Sequence, residues 1–186
     1  MRRALALSLL VLAAGVPSRV MAQAPATAAI APAVGAIAPG FTASLVDATT
    51  GQAAPVTLSA LRGQVVVLAF YPKDRTSGCT AEMTKFRDEQ ARLFGPGVVV
   101  LPVSADSVAS HAAWGAEMKF PFGLVSDPSL ALADAYGSRT AGRSYANRTV
   151  FVIGRDGRIV WRELKFGALS EDAYTQLAAA VAQARR

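Results

Sequence analysis

A lone cysteine, Cys79, is the tightest constraint this 186-residue chain places on its own fold, because with one thiol no internal disulfide can staple it. The N-terminus sharpens the constraint. Met1-Arg2-Arg3 precedes an apolar run from Ala4 to Val16, and Pro17 to Ala22 follow, which is the charged, apolar and small-residue order of a signal peptide. The apolar run is shorter than the roughly 20 residues a membrane-spanning helix needs, and Ala22 offers a cleavage point before Gln23. The expectation is an exported protein, periplasmic or secreted, with no stable membrane insertion once the signal is removed. An unpaired thiol in an oxidising compartment is either buried as a small hydrophobe or kept for its reactivity.

Removing residues 1–22 leaves 164 residues, enough for one hydrophobic core and too few for two ordinary domains. It also takes away Arg2, Arg3 and Arg19 and no acid, so the 19 bases become 16 against 13 acids, a net charge of +3. No basic run interleaved with aromatics appears, which argues against a nucleic-acid partner. Residues 23–36, nearly all Ala, Pro, Thr and Gly without a helix or strand period, read as a flexible leader. One domain is expected over residues 37–186.

Within it, two short strands follow Phe41, with turn residues from Asp47 to Gly51, and the run Val65 to Tyr71 reads as a buried strand. The loop Pro72 to Gly78 comes next. Cys79 then opens a helix whose apolar face runs Cys79, Met83, Phe86, Gln90 and Leu93, with Gly95-Pro96-Gly97 as its stop. A strand over Val98 to Val103 precedes the N-cap candidates Asp106 and Ser107 and a helix through His111, Trp114 and Met118, which completes a βαβ unit. Asp127 is expected to cap a helix that begins at Pro128 and ends at Gly137. Thr149 to Ile153, the turn Gly154 to Gly157 and Arg158 to Leu164 read as a hairpin, since Asp156-Gly157 suits a type I′ turn. Ser170-Glu171-Asp172 caps a last helix that ends in Arg185-Arg186, with acids in its first turn and bases in its last. This order predicts an α/β fold of the thioredoxin-like kind, a central mixed sheet flanked by helices, with Cys79 at the sheet's carboxyl edge, where open α/β sheets place their ligands.

Thiolate, and not thiol, is the nucleophile, so a reactive cysteine needs neighbours that favour the anion. A helix's first turn supplies unpaired N–H groups and the positive end of the dipole. Arg148, on the run into the Thr149 strand, is a candidate cation for the same site. Cleaving a peroxide O–O bond also requires donors for the leaving oxygen in a partly dry pocket, and the Thr76 hydroxyl, Arg148 and the N–H groups of Gly78 and Cys79 are the candidates. Pro72 ends the strand without a free N–H and is a candidate shield for the thiolate. The plainer alternatives are a buried inert cysteine and a Thr76 that merely caps the helix.

The segment Tyr71-Pro72-Lys73-Asp74-Arg75-Thr76-Ser77-Gly78-Cys79-Thr80 resembles the peroxiredoxin signature: Pro, three residues, Thr, two residues, Cys. The resemblance continues through Phe86-Arg87-Asp88, Val103 to Ser107, Ser110-His111, Phe120-Pro121-Phe122, Ser126-Asp127, Tyr136-Gly137 and Arg148 to Ile153, from about residue 36 to the C-terminus. It is most similar to the bacterioferritin-comigratory-protein (PrxQ) branch. It implies reduction of hydrogen peroxide or alkyl hydroperoxides through a sulfenic acid on Cys79, with Pro72, Thr76 and Arg148 in the roles given above and no metal, haem or flavin cofactor. Many members of that branch place a resolving cysteine five residues after the peroxidatic one, where this chain has Thr84. Resolution therefore falls to an external thiol, whether thioredoxin-like, glutaredoxin-like or of low molecular weight, or to Cys79 of a second subunit, and the chain is expected as a monomer or homodimer. Ser77 stands where the branch often has Pro.

Glu82 is a candidate partner that holds Arg148 at the site, against the plainer reading of a solvated acid near the helix start. His111 shares a face with Trp114 and Met118 and reads as a packed or capping histidine. With no second His or Cys, no metal site is expected, and a copper chaperone of the related fold is disfavoured. Two alternatives come from other classes: a thiol-disulfide oxidoreductase, which needs the second sulfur that Thr76 replaces, and an exported peroxide sensor signalling through a mixed disulfide.

Overall fold

Residue alternation along one strand organises the whole molecule. In the computed structural model, which describes residues 30–186, β3 (Val65–Phe70) is buried at every position because helices cover both faces of the sheet it lies in. Val65, Val67 and Ala69 enter one apolar cluster together with Met83, Phe86, Trp114 and Tyr174, while Val66, Leu68 and Phe70 enter a second with Leu132 and Tyr136. The seven strands run in the order β2-β1-β5-β4-β3-β6-β7. These are β1 (Thr42–Val46), β2 (Ala53–Thr57), β4 (Val98–Ser104), β5 (Leu124–Ser126), β6 (Thr149–Ile153) and β7 (Ile159–Glu163). β3, β4 and β5 are parallel neighbours and the remaining pairs are antiparallel, so the sheet is mixed, as the sequence predicts.

The helices are α1 (Ser77–Asp88), α2 (Gln90–Leu93), α3 (Val108–Met118), α4 (Ala131–Ala135) and α5 (Glu171–Ala184). Ser107 and Ser170 cap α3 and α5, accepting from Ser110 N–H and Ala173 N–H at 3.3 Å each. Several expectations need correction. The long helix expected from Cys79 starts two residues earlier and breaks at Glu89 (φ −111°, ψ 22°), a bend that lets Leu93 and Phe94 both reach the core and leaves Gln90 half-buried. The helix expected from Pro128 begins at Ala131, because Leu130 takes a left-handed conformation (φ 60°) ahead of it. Asp127 still serves that helix, accepting from Ala133 N–H at 2.9 Å, and Gly137 (φ 61°) follows its end. The hairpin turn is not type I′: Gly157 N–H donates to Gly154 O at 2.8 Å across Arg155 and Asp156, neither of which has positive φ, and Gly157 itself is left-handed (φ 76°). Arg185 is the C-cap of α5, so no base lies in its last turn.

The leader also ends earlier than expected. Residues 31–36 are attached to the sheet: Gly35 N–H donates to Ile159 O at 2.8 Å, Ile159 N–H to Ala36 O at 2.9 Å, and Arg162 Nη1 reaches Ala31 O and Pro32 O at 2.7 and 2.6 Å. A segment with no period of its own is ordered by the free edge of β7. The expected signal peptide, residues 1–22, lies outside the described residues. No helix among the described residues is long and apolar enough to cross a membrane.

Candidate active site

Two chain segments far apart in sequence meet because β3 and β6 are antiparallel. Phe70, the last residue of β3, pairs with Thr149, the first of β6, so Arg148 arrives beside the loop that leads from β3 into α1. Cys79 is the third residue of α1 and is 0 % exposed. The first intrahelical bond is Thr80 N–H to Thr76 O at 2.8 Å, so the N–H groups of Ser77, Gly78 and Cys79 lie in the turn that has no intrahelical acceptors. Arg148 Nη2 donates to Cys79 Sγ at 3.3 Å. A positive helix end and a guanidinium thus converge on one sulfur, an arrangement that favours thiolate chemistry over the inert-cysteine alternative.

Glu82 holds Arg148 in place, as expected, and is not a solvated acid: it is 0 % exposed and its Oε2 accepts from Arg148 Nη1. Its second oxygen, Oε1, has no hydrogen-bond partner among the described residues. Burial pushes the Glu82 carboxyl up to about 7, against the opposing pull of Arg148. Arg148 is raised too, toward a firmer positive charge: its own partial burial disfavours that charge, but Glu82 and Cys79 together outweigh it. Burial wins at the carboxylate and not at the guanidinium because the guanidinium keeps some solvent contact while the carboxylate has none.

Gly78 serves the site by size. A Cβ at this position would stand 3.3 Å from Arg148 Nη2, closer than most side-chain contacts, so the glycine lets the guanidinium reach the sulfur. Thr76 makes no side-chain cap bond to α1, which removes the capping alternative; its hydroxyl donates to Lys73 O at 3.1 Å and leaves its oxygen free to accept. Pro72 is half-buried and shares with Arg148 the wall of an open groove of about 430 Å³, whose apolar part comes from Tyr145, Leu164 and Phe166. Cys79, Arg148, Glu82 and Gly78 are therefore in mutual reach, with Pro72 flanking the mouth and Thr76 at the exposed rim.

The sequence reading passed over Asp74. Its side chain is buried and accepts from Tyr71 Oη at 2.7 Å and Ser110 Oγ at 2.6 Å, and it faces His111 Nδ1 at 3.0 Å. His111 is packed, as expected, but it also carries this acid. The signal in the sequence was faint: one acid in a polar loop, with two of its three partners 36 and 37 residues away.

The thioredoxin-like sandwich and a cation-held thiol at its carboxyl edge define a thiol-based redox protein. The chain belongs to the AhpC/TSA family, whose model matches residues 34–162. Its relatives are peroxiredoxins of the Bcp and PrxQ type. It is 39% identical over 124 residues to a peroxiredoxin Bcp homologue of Coxiella burnetii, covering 62% of this chain and 82% of the relative. Against the peroxiredoxin Bcp of Bacillus subtilis the identity is 36% over 118 residues, with 59% and 75% coverage. A solved structure of the Xanthomonas campestris bacterioferritin comigratory protein, studied for its alkyl peroxide reduction activity, superposes with a TM-score of 0.68 at 32% identity, covering 77% of this chain and 92% of that one.

Proposed function

We propose that the protein is an exported one-cysteine peroxiredoxin that reduces hydrogen peroxide and alkyl hydroperoxides and is recycled by an external thiol. The observation that carries this reading is Arg148 Nη2 at 3.3 Å from a sulfur seated on the first turn of α1. The Cys79 thiolate attacks one peroxide oxygen; the S–O bond forms as the O–O bond breaks, and the departing alkoxide or hydroxide takes up a proton. Arg148 and the first-turn N–H groups are aimed where that negative charge develops. The sulfenic acid then condenses with an external thiol, releasing water and leaving a mixed disulfide, and a second thiol frees Cys79 and departs as its own disulfide. With one thiol in the chain, no internal dithiol cycle is available, which disfavours the oxidoreductase alternative.

The test is stopped-flow reaction of the reduced protein with hydrogen peroxide and with an organic hydroperoxide, for wild type and Cys79→Ser, with mass spectrometry of the product. Loss of one equivalent of peroxide and gain of one oxygen on Cys79, absent in the variant, is the expected result. Reaction no faster than that of an ordinary free thiol would overturn it, and fast oxidation of Cys79 without turnover on an added thiol would favour the sensor. Export is supported by the residue order of positions 1–22 and is tested by N-terminal sequencing of the exported protein, which should begin near Gln23.

A further inference from the structure

We propose that Asp74 is a positioning residue for peroxide reduction: its buried carboxylate ties the β3–α1 loop to α3, its backbone N–H ties the loop to Asp106 just past β4, and together they fix where Thr76 stands ahead of Cys79. The inference rests on the peroxidase reading above.

Between Tyr71 and α1, the side chains of Lys73, Arg75 and Thr76 are exposed and Pro72 is half-buried; Asp74 alone enters the interior. It does so as a fully engaged acceptor. An ionised carboxylate can only accept, and the Tyr71 hydroxyl, the Ser110 hydroxyl and His111 Nδ1 approach its two oxygens at 2.6–3.0 Å. Burial alone would push the carboxyl's pKa up, yet the hydrogen bonds from His111, Ser110 and Tyr71 hold it below the usual range. Its backbone is held as well: Asp74 N–H donates to Asp106 Oδ2 at 2.9 Å, and the same oxygen accepts from Ser104 Oγ at 2.8 Å at the end of β4. An apolar side chain could bury here too, but it would not fix direction as these bonds do.

The loop needs such a tether because its backbone is strained next door. Arg75 has φ 60°, a left-handed conformation that persists in a non-glycine residue only where its surroundings over-determine it. Asp74 supplies the inner hold, and the exposed Arg75–Glu117 ion pair at 3.0 Å is the outer one. Across the turn, Thr76 Oγ1 bonds Lys73 O, so displacement of Asp74 carries the threonine with it. Three residues further on stands Cys79.

Asp74→Asn preserves shape but removes acceptor capacity and points a donor at other donors. In the full chain, the second-order rate of Cys79 oxidation by hydrogen peroxide should fall roughly tenfold to a hundredfold, the scale of a small misplacement of reacting groups. Alkylation of Cys79 by iodoacetamide, which needs the thiolate but not the peroxide-holding donors, should change less than about threefold, so the ratio of the two rates reports positioning rather than folding. Glu117→Ala, which cuts only the exposed hold, should keep both rates within about twofold, as expected of a surface ion pair. A folded Asp74→Asn protein with an unchanged ratio, whether both rates hold or both fall together, would overturn the proposal. If that variant does not fold, Ser110→Ala removes the 2.6 Å bond alone, and an unchanged ratio there overturns it equally. A wild type no faster than a free thiol would instead sink the peroxidase reading on which the proposal stands.

Discussion

Glu82 carries opposed demands at the scale of a single residue. It must be near enough to orient Arg148, yet it has no solvent and one oxygen without a partner among the described residues. With its carboxyl raised from 4.5 to about 7, the folded state binds a proton there between those values and the unfolded chain does not. Stability from this group is therefore fully present below about 4.5 and lost as pH rises through about 7, on the order of 3 kcal/mol over that window. Glu82→Gln, which cannot ionise, should flatten that decline; urea unfolding at pH 5 and pH 8 for the two proteins measures it. Asp74, lowered by its donors, works in the opposite sense, contributing above its unfolded value and losing that contribution in acid. For chemistry, Arg148→Lys keeps a charge but loses the fork that holds Glu82 with one nitrogen and Cys79 Sγ with the other. Peroxide reactivity of that variant should fall at least about tenfold in the stopped-flow assay, toward the roughly hundredfold or greater loss seen when one preorganised donor is removed outright.

Element by element, α1 joins the site to the core. Its outer end carries Cys79 and Glu82, and Phe86 one turn on packs against Phe94, Phe166 and Tyr174 at ring-centroid distances of 5.2, 6.4 and 6.2 Å. Phe86→Ala should cost about 3–5 kcal/mol in denaturant unfolding, the range for removing a buried aromatic. The period that revealed this helix was legible because its buried positions are spaced by three and four residues, and β3 was legible because an unbroken apolar run of that length suits a strand covered on both faces. Cys79, Gly78 and Arg148 were candidates because thiolate chemistry limits which groups can serve it, and Glu82 was a candidate only as a partner for Arg148. What the sequence hid was non-local. Three-residue β5 is too short to show a period, and the late start of α4 depends on Leu130 adopting a left-handed backbone to bury its side chain. Asp74 was hidden for the same reason, since its partner Ser110 and its neighbour His111 come from α3.

For the molecule as a whole, an open seven-stranded sheet must protect two edge strands, β2 and β7, from pairing with another chain. β2 is five residues long and carries Pro55, which has no N–H to offer. β7 is protected differently, by residues 31–38 of its own chain: the bonds between Gly35 and Ile159 and between Ile159 and Ala36 are joined by Ala38 N–H to Gly157 O at 2.9 Å and by Arg162 reaching Ala31 and Pro32. A stretch that carries no chemistry thus completes the fold from outside. A protein beginning at Ile37 loses two of the three backbone bonds and both acceptors of Arg162. At roughly 1 kcal/mol net for each backbone bond, offset in part by chain entropy regained, Tm should drop by about 4–8 °C relative to a protein beginning at Gln23. The uncovered start of β7 should also promote self-association, visible as a concentration-dependent shift in size-exclusion chromatography with light scattering. Unchanged Tm and an unchanged elution profile would mean that the segment rests on the edge without holding it, and that β7 is kept from pairing by its own short length and charged Arg162 and Glu163.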